Sequence, residues 1–167
     1  MRLLVIRHGV AEDRGDFARA GHDDAQRPLS RDGKKSMRRG AGGLRKLVPK
    51  IDVLASSPLT RAVQTAEIVA GEYEDLAVVQ IGQLAPGKPR NTLLQWIAKQ
   101  SPDALIALVG HEPHLSGFVS WMLTGLQVSV LEFKKGGACM LEIKGDIKAG
   151  RAKLLWLLKA SQLRDLA

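Results

Sequence analysis

The stretch LLVIRHGVAE, residues 3–12, joins a short apolar run to two chemically active side chains. The apolar run, Leu3–Ile6, has the length and composition of a buried strand. Arg7 and His8 follow it directly. Because a buried strand is held rigidly by its packing, both side chains would occupy defined positions at its carboxyl end. The stretch therefore predicts a strand over 2–7 that carries a cation and an imidazole to one edge of a sheet.

The composition of the chain is that of an ordinary globular protein. Hydrophobic residues make up 45% and charged residues 25% of the 167 residues, so we expect a single domain over 1–167. No apolar run reaches the ~20 residues of a membrane helix. Arg7 interrupts the first apolar run too early for a secretory leader. The single cysteine, Cys139, can form no disulfide within the chain, and we expect a cytoplasmic protein.

The net charge of the chain is +8, from 25 basic and 17 acidic residues. A basic protein favours anionic partners. Phosphate esters, acidic proteins and nucleic acids all belong to that class, and we expect no membrane partner.

Strand and helix patterns alternate along most of the chain. Strands are predicted at 2–7, 51–57, 76–81 and 104–110, helices at 30–48, 58–71, 92–100 and 113–123, and a closing pair of strands at 138–145 and 151–158. Ser57 and Pro58 are expected to open the second helix as its N-cap and first residue. Gly40, Gly42 and Gly43 weaken the first helix. The alternation predicts an α/β fold, a three-layer α/β/α sandwich around a mostly parallel sheet.

Polar side chains follow three of the predicted strands. Arg7 and His8 end the first strand, Ser57 ends the second with Arg61 soon after, and His111 ends the fourth. Ligands of such sheets bind beyond the carboxyl ends of the strands. If these strands are parallel neighbours, the arginines, the histidines and two helix N-termini converge on one edge. That combination suits a tetrahedral dianion, because arginine binds phosphate oxygens in a bidentate manner.

Three motifs in these positions resemble the histidine phosphatase superfamily. They are RHG at 7–9, SPLTRAVQTA at 57–66 and VGHEP at 109–113. A fourth, RPLSRDG at 27–33, is similar to the SixA-type phosphohistidine phosphatases within it. The resemblance extends over nearly the whole chain and implies a phosphoglycerate mutase-like fold.

The resemblance also implies roles for five residues. His8 would be the nucleophile that accepts the phosphoryl group, and Arg7 and Arg61 would bind its oxygens. His111 would donate a hydrogen bond to the phosphate, and Ser57 would orient the His8 ring. The reaction would need no metal and no cofactor, because the arginines supply the positive charge.

One departure from the family pattern bears on the substrate. Members that cleave esters carry a glutamate in a Leu-x-Glu pattern after the third strand, whereas this chain has Leu84–Pro86 there. Alkoxide leaving groups need a proton donor. The imidazole of a protonated phosphohistidine depends less on such a donor. The chain is therefore expected to act on P–N bonds in a phosphorylated protein. The alternative is a small-molecule phosphomonoesterase in which Glu12, Asp13 or Asp16 supplies the proton.

The basic residues of the first long helix leave two interpretations open. They could form a solvated face or a docking surface for an acidic phosphoprotein, and they are Arg31, Lys34, Lys35, Arg38, Arg39, Arg45, Lys46 and Lys50. No aromatic residue lies among them, so nucleic-acid binding is not expected. Arg27 could reach the phosphate or the partner from its loop, or it could brace that loop. A non-enzymatic binding module is the remaining alternative from a different class.

Overall fold

A single sheet runs through the computed structural model, which describes residues 1–74 and 76–167. Within these residues the sheet has six strands in the order β3-β2-β4-β1-β5-β6. The strands are β1 (Arg2–Arg7), β2 (Val53–Ser56), β3 (Val78–Gln80), β4 (Leu105–Gly110), β5 (Ala138–Ile143) and β6 (Ala152–Leu158). The first four are mutually parallel, whereas β5 is antiparallel to both β1 and β6. The predicted mostly parallel sheet is confirmed.

Helices cover both faces of this sheet. The helices are α1 (Arg14–Arg19), α2 (Arg31–Leu47), α3 (Thr60–Ala70), α4 (Arg90–Ile97), α5 (His114–Thr124) and α6 (Ala160–Asp165). One buried core joins α4 and α5 to one face of the sheet, and a second core joins α2, α3 and α6 to the other. The structure thus confirms the three-layer α/β/α sandwich. None of the helices in the described residues is long and apolar enough to span a membrane.

The predicted start of α3 is wrong by two residues. The helix begins at Thr60 with Leu59 as its N-cap, and no side chain caps it. Ser57 and Pro58 therefore precede the helix instead of opening it. The Ser57 hydroxyl makes its closest hydrogen bond to a distant histidine, and this tertiary contact takes the place of the predicted helix cap.

Two short helices, α1 and α6, have no counterpart in the sequence prediction. Each has six residues, and too few apolar positions to give a periodic pattern. α6 packs on α2 through Leu163, which is buried. Gly43 makes this packing possible, because a Cβ atom there would overlap the carbonyl oxygen of Leu163. One of the glycines that weakens α2 as an isolated helix therefore holds it in the fold.

Candidate active site

The two histidines of the RHG and GHEP motifs lie side by side. β1 and β4 are parallel neighbours with Arg7 opposite Gly110, and the His8 amide donates to the Gly110 carbonyl at 3.0 Å. This register places the His8 and His111 rings 5.0 Å apart between centroids, tilted by 54°. Both side chains are buried, with 7% and 3% of their surface exposed. The predicted convergence of these two strand ends is therefore present in the structure.

A backbone contact defines the protonation of the His8 ring. Its Nδ1 lies 2.7 Å from the carbonyl oxygen of Gly9. Because a carbonyl only accepts hydrogen bonds, Nδ1 carries the proton in the neutral ring. The lone pair is therefore on Nε2, which leaves that nitrogen free to act as a nucleophile.

Ser57 orients His111, not His8. The Ser57 Oγ atom is 2.8 Å from Nε2 of His111, and the prediction that it orients the His8 ring is wrong. β2 lies on the far side of β4 from β1, so the end of β2 is nearer to the residue that follows β4. The other ring nitrogen of His111, Nδ1, is buried and has no hydrogen-bond partner within the described residues.

Burial is the main cause that keeps both imidazoles neutral. Burial and, to a smaller extent, the charges of Arg61 and Arg7 together lower the pKa of His8 to about 4, while the hydrogen bond to Gly9 opposes the shift. Burial likewise lowers the pKa of His111 to about 3, with smaller contributions from His8 and Arg61. The two guanidinium charges are a smaller cause of the shift in the pKa of His8 than burial. Both rings are neutral at physiological pH.

Arg61 and Arg7 contribute guanidinium groups next to this pair. Arg61 is the second residue of α3 and is 5% exposed, and an Arg7 terminal nitrogen donates to the Phe133 carbonyl. The Nε atoms of both arginines are buried without a partner among the residues described. Each arginine therefore retains a donor that a bound oxyanion could use.

A hydrogen-bond chain connects α3, which carries Arg61, to the backbone that follows β1. The Gly9 amide donates to Thr65 Oγ1 at 3.1 Å, and that hydroxyl donates to the Arg61 carbonyl at 2.7 Å. Both members of this chain are buried. The backbone next to His8 and the first turn of α3 are thus held in one arrangement.

Asp24 is the residue that the sequence analysis missed. Its carboxylate accepts hydrogen bonds from Arg14, Arg27 and Arg61. These contacts, led by that with Arg14, hold the pKa of the Asp24 carboxyl far below its usual range, so it is ionised. One acidic residue in a polar loop gives no local pattern to find.

Arg27 braces its own loop in the structure. Its Nε donates to Asp24 at 2.8 Å and one terminal nitrogen donates to the Glu12 carbonyl, also at 2.8 Å. Of the roles that the sequence left open for Arg27, bracing the loop is the one these contacts favour.

The three carboxylates considered as proton donors lie in the exposed α1 region. Asp13 caps α1 by accepting from the Asp16 amide, and this hydrogen bond lowers the pKa of Asp13. Asp16 pairs with Arg19, and Glu12 is exposed. Pro86 is exposed in the loop after β3. The structure assigns Asp13 and Asp16 to local helix contacts, which gives their role as acids no support.

Comparison with known proteins agrees with this geometry. The sequence model of the histidine phosphatase superfamily (branch 1) matches residues 3–85. This range includes the His8 and Arg61 motifs. The chain belongs to the histidine phosphatase superfamily. It is a phosphatase of that superfamily with a phosphoglycerate mutase-like fold.

This histidine phosphatase has relatives in sequence and in structure. An uncharacterized protein of Picosynechococcus sp. is 34% identical over 139 residues, which cover 82% of each chain. The solved protein histidine phosphatase SixA, complexed with tungstate, matches with a TM-score of 0.82 at 20% identity, covering 98% of this chain and 99% of SixA. A phosphoserine phosphatase variant of Entamoeba histolytica matches with a TM-score of 0.71 at 17% identity, covering 97% and 98%. At these identities the structural matches establish the fold.

Proposed function

We propose that this phosphatase belongs to the SixA type and removes phosphate from phosphohistidine in a partner protein. Nε2 of His8 attacks phosphorus, the P–N bond of the substrate breaks, and its imidazole leaves with a proton. Water then attacks phospho-His8, which releases inorganic phosphate and restores the free ring. The observation that most directly supports this proposal is the neutral, buried His8 ring, whose Nε2 lone pair is free beside His111.

Arg7, Arg61 and His111 stabilise the phosphoryl group in this mechanism. The arginines donate to its non-bridging oxygens, and His111 donates through Nδ1, the nitrogen that Ser57 leaves free. Phosphoryl transfer is accelerated mainly by such positioning and charge stabilisation. The site therefore needs no additional charged group for the transfer itself.

Among the described residues, the carboxylate that contacts Arg61 is ionised and therefore cannot donate a proton, which supports a P–N substrate. Asp24 is the carboxylate paired with Arg61, and its three arginine partners keep it ionised. The loop after β3 has Pro86 where ester-cleaving relatives carry a glutamate. An unactivated alkoxide leaves slowly without a proton donor, whereas an imidazole protonated by solvent leaves readily.

The basic face of α2 supports a protein as the carrier of the phosphohistidine. We define this face by its exposed residues Arg31, Lys35, Arg38, Arg39 and Lys46. α2 begins next to the site, because its N-cap residue Ser30 donates its amide to the Val10 carbonyl and Met37 packs on Gly9. An acidic surface around a phosphohistidine would meet these cations when it enters the site.

The test compares three substrates with the parent protein and with His8→Ala. They are a phosphorylated histidine phosphotransfer protein, phosphoramidate as a small P–N compound, and phosphoserine as an alkyl ester. The proposal predicts that the parent protein releases phosphate from both P–N compounds and little from phosphoserine. It predicts that His8→Ala releases no phosphate from any of the three. An acid-labile phosphoryl group should be found on His8 after quenching. Equal turnover by His8→Ala would refute the mechanism, and fast hydrolysis of phosphoserine alone would establish the phosphomonoesterase alternative.

A further inference from the structure

The carboxylate and carbonyl of Asp24 together hold the Arg61 guanidinium. One terminal nitrogen of Arg61 donates to the Asp24 carbonyl at 2.8 Å, and the other donates to its carboxylate at 3.1 Å. The Arg61 side chain is 6% exposed. Two contacts to one residue define both the position and the plane of the guanidinium, because the group is planar and rigid.

Asp24 is itself held from its other side. Its Oδ1 accepts from Arg27 Nε at 2.8 Å, and the Arg27 side chain is 12% exposed. Arg14 makes two longer contacts, of 3.2 and 3.3 Å, to the same carboxylate. The Asp24 backbone lies in a 3-10 turn that the Asp23 side chain caps. The carboxylate is therefore a fixed support for Arg61, in contrast to an exposed ion pair whose partners move freely.

This arrangement leaves donors of Arg61 unused. Its Nε is buried and has no partner within residues 1–74 and 76–167. Each terminal nitrogen also carries a second hydrogen beyond the one given to Asp24. The guanidinium is thus held in one orientation by part of its donors while the rest stay available to an oxyanion.

We propose that Asp24 is a positioning residue that orients Arg61 for phosphoryl transfer. This inference rests on the proposed function, in which Arg61 binds the transferring group. Asp24 touches Arg61 and not the reacting atoms, so its effect passes through Arg61. Its negative charge opposes anion binding, while the orientation that it imposes favours the transition state. The two effects separate in experiment, since one acts on phosphate affinity and the other on turnover.

The variant Asp24→Asn tests this separation. It removes the charge of the side chain, and it keeps the size of the side chain and the backbone carbonyl of residue 24. We expect kcat for phosphoramidate to fall by about 10- to 100-fold, the size of effect that a small displacement of a catalytic group produces. The affinity for inorganic phosphate, measured by isothermal titration calorimetry, should stay the same or increase. Asp24→Glu, which keeps the charge, should recover part of the lost turnover.

A double-mutant cycle with Arg61→Ala shows whether Asp24 acts through Arg61. Asp24→Asn should have little further effect in the Arg61→Ala protein, because the group that it orients is gone. Asp146→Asn is the matched control, since it removes a carboxylate paired with Lys148 on an exposed loop, and it should leave kcat unchanged.

Three results would overturn the inference. The first is an unchanged kcat in folded Asp24→Asn. The second is a loss of kcat on Asp24→Asn substitution that is equally large in the parent and Arg61→Ala backgrounds. The third is a weaker affinity of Asp24→Asn for inorganic phosphate. If Arg61→Ala itself leaves turnover intact, the proposed role of Arg61 fails together with the inference. If Arg61→Ala abolishes turnover while Asp24→Asn does not change it, the inference alone fails.

Discussion

The imidazole rings of His8 and His111 lie 5.0 Å apart between centroids, each at the end of a buried parallel strand. At this distance two protonated rings would repel each other, and burial disfavours the charge of either. The pair is therefore built to stay neutral, and its orientation depends on two hydrogen bonds, from His8 to the Gly9 carbonyl and between His111 and Ser57. We therefore expect both activity and stability to depend on these features.

The activity should persist to unusually low pH for a histidine nucleophile. In the proposed mechanism, protonation of Nε2 removes the attacking lone pair, and the pKa of His8 is lowered from 6.5 to about 4. The acid limb of kcat/KM, which reports the free enzyme, should therefore lie near pH 4. The ring signals of His8, assigned with His8→Asn and followed by NMR, should titrate in the same range. A His8 ring that titrates near 6.5 would contradict the burial argument.

The stability should begin to fall at a higher pH than the activity. A histidine whose folded pKa is lowered stabilises the protein fully above its unfolded pKa and loses that contribution as pH falls. For His8 and His111 the window runs from about 6.5 down to about 4 and about 3. The urea midpoint should decrease between pH 7.5 and 4.5, and less steeply in His8→Asn. Equal slopes in both proteins would show that His8 is not buried as a neutral ring.

The hydroxyl of Ser57 should contribute to turnover through His111. Ser57→Ala leaves Nε2 of His111 without its hydrogen bond, and we expect kcat/KM to fall on the order of tenfold, equivalent to about 1.4 kcal/mol. In a His111→Ala background the same substitution should have little effect. Ser129→Ala, which removes an exposed hydroxyl, is the control. An additive loss in the double variant would show that Ser57 acts by another route.

Neighbouring glycines of α2 should respond in opposite directions to alanine. Gly43→Ala places a methyl group against the Leu163 carbonyl of α6, and overpacking of this kind costs about 1 to 3 kcal/mol. Gly42→Ala finds space, with the nearest atom 3.9 Å away, and should stabilise the helix by about 0.5 to 1 kcal/mol. Urea unfolding measures both. A Gly43→Ala protein as stable as the parent would mean that α6 does not pack on α2.

Charge reversal on the basic face of α2 should affect a protein substrate selectively. In the variant Arg31→Glu, Lys35→Glu, Arg38→Glu, the KM for the phosphorylated phosphotransfer protein should rise on the order of tenfold at low salt, because surface charges steer association. The kcat/KM for phosphoramidate should not change. Arg151→Glu, Lys153→Glu is the control, at exposed positions where β6 begins. Equal loss on both substrates, or none on the protein, would remove this face from substrate binding.

The long elements of the fold were predictable because each bears a local signal. β1 and β4 are apolar runs of the correct length, and α3 has an apolar stripe with helical spacing. The predicted starts of helices were less accurate: α4 begins at Arg90 instead of 92, and Ser57 does not cap α3. A cap residue is chosen by competition among hydrogen-bond partners, and in this protein the competing partner is 54 positions away.

The sequence by itself determined which chemistry-bearing residues end the strands, since Arg7, His8, Ser57 and His111 follow apolar runs that must be buried. Only the tertiary structure decided how these residues pair. Strand order places β4 between β1 and β2. Ser57 therefore hydrogen-bonds to His111, and His8 bonds to the Gly9 carbonyl. The packing of the 3-10 turn at Asp24–Gln26 against α3 also brings Asp24 to Arg61 across 37 positions. Local patterns report burial and periodicity, whereas such pairings depend on which elements become neighbours.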